Sequence, residues 1–135
     1  MVTTVDNSLS HLHQSIADVD TQVIFKDDWD NNGAKAINPK IRNRATQFLL
    51  DYASFTENIF NIVIEEPMIG ACPDGSIDLS WRNETARMLI NIRNTEIGKA
   101  YFYGDEYDDK NSIKGNVEIG KVQTHLAAWM CILKK

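Results

Sequence analysis

Residues 68 to 82 read Met68-Ile69-Gly70-Ala71-Cys72-Pro73-Asp74-Gly75-Ser76-Ile77-Asp78-Leu79-Ser80-Trp81-Arg82. The Pro73-Asp74-Gly75 signal marks a tight turn, because glycine accepts positive φ and aspartate bonds its own backbone. After it, Ile77, Leu79 and Trp81 alternate with Asp78, Ser80 and Arg82, the period-two pattern of a strand with one apolar face. Before it, Ile62, Ile64 and then Met68 to Cys72 read as an extended partner, so the stretch predicts a β-hairpin.

Towards the carboxyl end the same period continues. Asn83-Glu84-Thr85 turns the chain into Ala86 to Arg93, where Met88, Ile90 and Ile92 alternate with Arg87, Asn91 and Arg93. Asn94 to Gly98 turns it again into Lys99 to Tyr103. Gly104 to Gly115 reads as a polar loop, and Val117 to Ile119 could add a short strand. Val122, Leu126, Trp129, Met130 and Leu133 then predict a terminal helix, with Lys134 and Lys135 at its carboxyl end.

Towards the amino end, Asn38 followed by Pro39 is a cap followed by the residue best suited to a first helical position. Ile41, Ala45, Phe48, Leu49 and Tyr52 share one face of the helix this opens, about 16 residues long. Lys26 to Gly33 is a polar, turn-rich loop, Val23-Ile24-Phe25 precedes it, and Leu9, Leu12, Ile16 and Val19 mark an earlier helix. Helices at both ends of an uninterrupted run of strands predict an α+β fold, since parallel strands would need helical crossovers between them. The expected architecture is an antiparallel meander of about four strands packed on one face by helices, in the order α-α-β-β-β-β-α.

A length of 135 residues predicts one domain over residues 1–135 with one core. Hydrophobic residues at 43% and charged residues at 24% exclude a disordered or fibrous chain. A net charge of −5 opposes a general grip on nucleic acid, which needs clustered cations. No apolar run approaches the roughly 20 residues of a membrane span. Residues 1 to 20 carry Asp6, Asp18 and Asp20 without Lys or Arg, unlike a secretory signal, and Cys72 and Cys131 show no CxxC spacing. The expected compartment is therefore the cytoplasm, with free thiols.

Two separated stretches carry a resemblance. Asp28-Trp29-Asp30-Asn31-Asn32-Gly33-Ala34-Lys35 with Ile37-Asn38-Pro39, followed by Pro73 to Trp81, resembles an uncharacterised family of small microbial and viral proteins. Its members carry a W-D-x-x-G-A…P segment and then a P-D-G-x-I-x-L-x-W hairpin. The resemblance spans roughly residues 24 to 82, with Asn31 and Ser76 standing where the family commonly has glycine, Ala36 in place of a proline and Ser80 in place of an acidic residue. That family has no assigned activity, so the resemblance implies architecture alone, with Trp29, Asp30, Gly33, Pro39, Asp74, Gly75 and Trp81 as its structural motif. Read by themselves, Trp29 can cover a core edge while Asp30, Asn31 and Asn32 bond backbone donors.

Candidate sites are few. Asp28-x-Asp30-x-Asn32-Gly33 matches the first half of a calcium loop, but Pro39 stands where a bidentate Glu should close the sphere. His11 and His13 lie two apart and diverge on a helix, and His125 is isolated. Glu65 and Glu66, adjacent on an extended segment, face opposite sides. Glycines at 33, 70, 75, 98, 104, 115 and 120 are too scattered for a phosphate loop. No serine or cysteine sits in a nucleophile elbow. No metal or cofactor is expected. Arg42, Arg82, Arg87, Arg93 and Lys99, with Tyr101 to Tyr103, supply the ingredients of single-strand binding, although ordinary polar-face alternation accounts for them too.

The strongest charge concentration is Asp105, Glu106, Asp108 and Asp109, interleaved with Tyr103 and Tyr107. Four repelling carboxylates predict a hydrated loop; tyrosines among them also suit docking to a basic protein. The expected function is a non-catalytic protein-interaction module, an accessory or antagonist protein of a mobile element or defence locus, with this segment as its contact. The expected partner is another, basic protein, with a homodimer as the alternative. The competing expectation is a small enzyme or ligand-binding protein with a pocket between sheet and helices.

Overall fold

The computed structural model describes residues 27–28, 30–96, 98–108 and 110–135. The expected first helix, the segment Val23 to Phe25, Trp29, Asp109 and the histidines at 11 and 13 lie outside the described residues. Helix α1 (Pro39–Phe60) leads into five strands, β1 (Met68–Ala71), β2 (Ile77–Arg82), β3 (Arg87–Ile92), β4 (Lys99–Asp105) and β5 (Ser112–Glu118), and then helix α2 (Thr124–Met130) with a 3-10 turn, Cys131–Leu133. The sheet order is β1-β2-β3-β4-β5, every pair antiparallel. The α+β meander stands, with five strands rather than four.

Helix α1 starts where its cap predicts. The Asn38 side chain accepts the Lys40 amide at 2.9 Å, and Pro39 occupies the first turn. The helix runs 22 residues, longer than expected, because its buried stripe of Ile41, Ala45, Phe48, Leu49 and Tyr52 continues through Ala53 and Thr56. Asn61 ends it in the left-handed region at φ 57°, its amide bonding back to Glu57 and Thr56. The extended partner read from Ile62 therefore began too early, since β1 starts only at Met68. Ile64 belongs to no strand but bridges Lys134, while the Glu65 and Lys135 amides bond Leu133 and Val63.

The terminal α-helix is shorter than expected: it tightens into the 3-10 turn at Cys131, and Lys134 caps the end of that turn and also forms the bridge to Ile64. The segment expected to be a loop from Gly104 to Gly115 forms the turn and much of the β4–β5 hairpin, with the two strands in unbroken register from Lys99↔Glu118 to Asp105↔Ser112.

Period two sorts the sheet into two sides. Ile77, Leu79, Trp81, Met88, Ile90, Ile92, Ala100, Phe102, Ile113 and Val117 are buried and join α1, Leu126 and Met130 in one hydrophobic cluster. Phe48 stacks on Tyr52 at 4.4 Å, and the Tyr52 hydroxyl accepts the Gln123 amide at 3.1 Å, linking α1 to the start of α2. The Trp81 indole N–H donates to the Glu65 carbonyl at 2.8 Å, so its ring is buried with its polar atom satisfied. The opposite side of the sheet carries no helix among the described residues.

Candidate functional site

The two motif segments meet in space. Carboxylates order the first: Asp28 accepts the Gly33 amide at 2.7 Å, Asp30 accepts Asn32 and Ala34 at 2.8 and 3.0 Å, and Asp27 accepts Ala36 at 2.9 Å. Those oxygens cap a turn of backbone amides. The Lys35 amide then donates to the Pro73 carbonyl at 2.7 Å, docking the loop on the β1–β2 turn. In that turn Asp74 accepts the Ser76 amide and hydroxyl at 3.0 and 2.6 Å, which holds its carboxyl below the usual 3.8. Gly75 sits at φ 89°, and a Cβ there would lie 2.8 Å from the Asn94 side-chain Nδ2 and 3.3 Å from the Ala36 carbonyl. Asp30, Gly33, Pro39, Asp74, Gly75 and Trp81 are thus all engaged in building the fold.

The acidic segment is a closed network. Asp105 ends β4 opposite Arg87 and is only 3% exposed. The Arg87 guanidinium grips it with two bonds, Nε to Oδ1 at 2.9 Å and the second nitrogen to Oδ2 at 3.1 Å. The Tyr103 hydroxyl donates to Oδ2 at 2.8 Å and the Tyr107 amide to Oδ1 at 3.0 Å. Arg87 foremost, with the Tyr103 hydroxyl, pulls the carboxyl down to about 2. Tyr107, at φ 63°, lies 5.3 Å beneath the Arg87 guanidinium and donates its hydroxyl to the Asn83 carbonyl at 2.7 Å. Asp108 accepts the Lys110 and Asn111 amides at 2.8 and 2.9 Å, closing the β4–β5 turn, and the half-buried Glu106 donates its amide to the Asn111 carbonyl. Of the described residues in the expected contact set, Tyr103 lies on the sheet's open side, 45% exposed, and Tyr107 is comparably exposed in the turn beyond it. Asp105 is a clamp between β3, β4 and the turn rather than a hydrated carboxylate.

The clamp makes a prediction about acid. A carboxyl depressed from 3.8 to about 2 stabilises the fold above 3.8, and that contribution fades as pH falls towards 2. Asp105→Asn should be less stable than wild type at neutral pH. Thermal melts across that window should show the gap closing; a gap constant with pH would mean the Arg87 pair contributes nothing.

On the open side, one row across the sheet reads Met68, Ser80, Leu89, Tyr103, Lys114. Met68 is 78% exposed and Leu89 is 42% exposed. Leu89 and Tyr103 form a ridge between two grooves. One, of about 430 Å³, runs along Glu65, Glu66, Met68, Ser80, Arg82 and Arg87. The other, of about 310 Å³, is bounded by Asn91, Arg93, Tyr101 and Lys114. Sequence reasoning missed Met68 and Leu89, although Leu89 carried a signal: it is an apolar residue at the polar phase of β3, between Met88 and Ile90.

The remaining candidates disperse. Arg93 stacks 3.7 Å over the Tyr101 ring, whose hydroxyl donates to Glu96 at 2.6 Å, so that ring face is already covered. Arg42 lies on α1, away from the sheet's open side. Burial, with Asp78 and Asp74 nearby, pushes the Cys72 thiol up to about 11, and burial also raises Cys131, so both are protonated thiols at neutral pH. His125 is exposed on α2. Among the described residues there is no group of three His, Cys, Asp or Glu placed to hold a metal ion, and no helix is long and apolar enough to cross a membrane. No protein-family description matches the chain, and no curated protein or solved structure does so significantly.

Proposed function

We propose that the chain is a non-catalytic protein-interaction module that binds through the open side of its sheet. The setting proposed for it is an accessory or antagonist role in a mobile element or defence locus, as a divergent relative of the family its two motifs resemble. The observation that carries the contact is the row of Met68, Leu89 and Tyr103, where apolar side chains stand exposed across the sheet from the edge strand β1 to the interior strands β3 and β4. Methionine, tyrosine and arginine are the residue types enriched in contact patches, and the polar rim of Glu65, Glu66, Arg82, Arg87 and Lys114 fits such a patch. The net charge of −5 favours a basic protein partner at long range.

The test pairs binding with stability. Tagged wild-type chain should retain a partner from its native host, and Leu89→Asp should weaken that binding by at least about tenfold with an unchanged melting temperature. Binding that survives both Leu89→Asp and Met68→Glu would exclude this surface.

A further inference from the structure

We propose that β5 pairs edge to edge with β5 of a second copy of this chain, about a two-fold axis at Asn116, giving a continuous ten-stranded antiparallel sheet. The starting point is the direction of the backbone groups. The Ile119 amide donates to the Gly98 carbonyl at 2.8 Å, and Glu106 donates to Asn111 at the other end of the same hairpin. In an antiparallel ladder the bonded residues alternate, so Ile113, Gly115 and Val117 turn their amides and carbonyls towards β4. Ser112, Lys114, Asn116 and Glu118 therefore aim theirs outward, and among the described residues no strand or helix pairs with that edge. Seven residues in unbroken register, without proline or bulge, form an uncovered edge of the kind proteins ordinarily blunt.

The side chains identify the occupant. Lys114 and Glu118 lie four residues apart on the same side of β5, so a two-fold pairing centred on Asn116 sets each Lys114 opposite Glu118 of the other copy. Those pairs, and Asn116 with itself, are also the outward-bonding positions, so backbone bonds and opposite charges fall on the same residues. Beneath them, Ile113 meets Ile119 of the second copy and Gly115 meets Val117, extending the apolar underside across the junction. Glu118 already reaches Lys121 at 3.3 Å, but both side chains are largely exposed, and such a pair exchanges partners at little cost. A strip this narrow predicts a weak, concentration-dependent dimer.

Sedimentation velocity of the full chain tests this. The mass should rise with concentration from 15.3 kDa towards twice that value. Asn116→Pro removes an outward amide that takes no part in the β4 ladder and should leave a folded monomer. Lys114→Glu and Glu118→Lys should each weaken association about tenfold or more, whereas the two variants mixed, or both changes in one chain, should restore it. Leu89→Asp should leave the dimer intact, which separates this interface from the open-side contact. A wild-type chain that stays at 15.3 kDa up to roughly millimolar concentration, or a dimer indifferent to the two reversals, overturns the proposal.

Discussion

Ile90→Ala should lower unfolding stability by about 3 kcal/mol, within the roughly 2–5 kcal/mol range for truncating a buried isoleucine. Its neighbour Leu89→Ala should change it by no more than about 0.5 kcal/mol. Ile90 is fully buried on the middle strand, between Leu79 of β2 and Phe102 of β4. Removing its outer carbons leaves a cavity that α1 above and the fixed strands beside it cannot close. Leu89 points the other way, into water, where shortening costs little. A domain of this size has about 5–15 kcal/mol in total, so the first change consumes a large share of the reserve. Urea titrations of both variants measure the contrast. Equal losses would mean that the sheet is covered on both sides, and the open-side reading would fall with them.

Gly104→Val should destabilise by about 1–3 kcal/mol, the usual cost of forcing extra carbon into a filled site. The reason is close approach: a Cβ at Gly104 would stand 2.7 and 2.9 Å from two ring carbons of Trp129 and 3.1 Å from the Arg87 carbonyl. The Trp129 indole of α2 lies flush against the β4 backbone because that position has no side chain. Combining Gly104→Val with Trp129→Ala should therefore cost less than the sum of the two changes, since the smaller residue vacates the space the valine needs. Calorimetric melts of the two single variants and the double variant give the coupling directly, and strict additivity would show that the two groups do not compete for space.

Much of the fold was legible because its signals are local. Asn38-Pro39, the Asp74-Gly75 turn and the alternation through Ile77, Leu79 and Trp81 each depend on a few neighbouring residues, whatever the rest of the chain does. β5 was legible only at its end, where Val117 to Ile119 reads as a short strand, and its sequence explains why. At the position where its alternation needs a third apolar side chain stands Gly115, and the Phe102 ring of β4 covers it from across the strand, 3.1 Å from where a Cβ would be. The strand's missing contribution comes from a residue 13 positions earlier, outside any window that reads periodicity.

The candidate surface divides the same way. Leu89 at the polar phase of β3 was visible in the chain, but the other apolar members of its row, Tyr103 beside it and Met68 one strand further on beyond Ser80, are brought into line with it only by strand register. The acidic segment shows the converse. Its composition predicts mutual repulsion and hydration, and register overrides that by delivering Arg87, 18 residues away, to Asp105. The chain by itself determined the helix start, the turns that join β1 to β4 and the inward faces of β2 and β3, because capping and alternation act over a few residues. Tertiary structure alone decided which charges are neutralised, which apolar side chains stay in water and which strand edge is left bare, because those depend on what the register lays side by side.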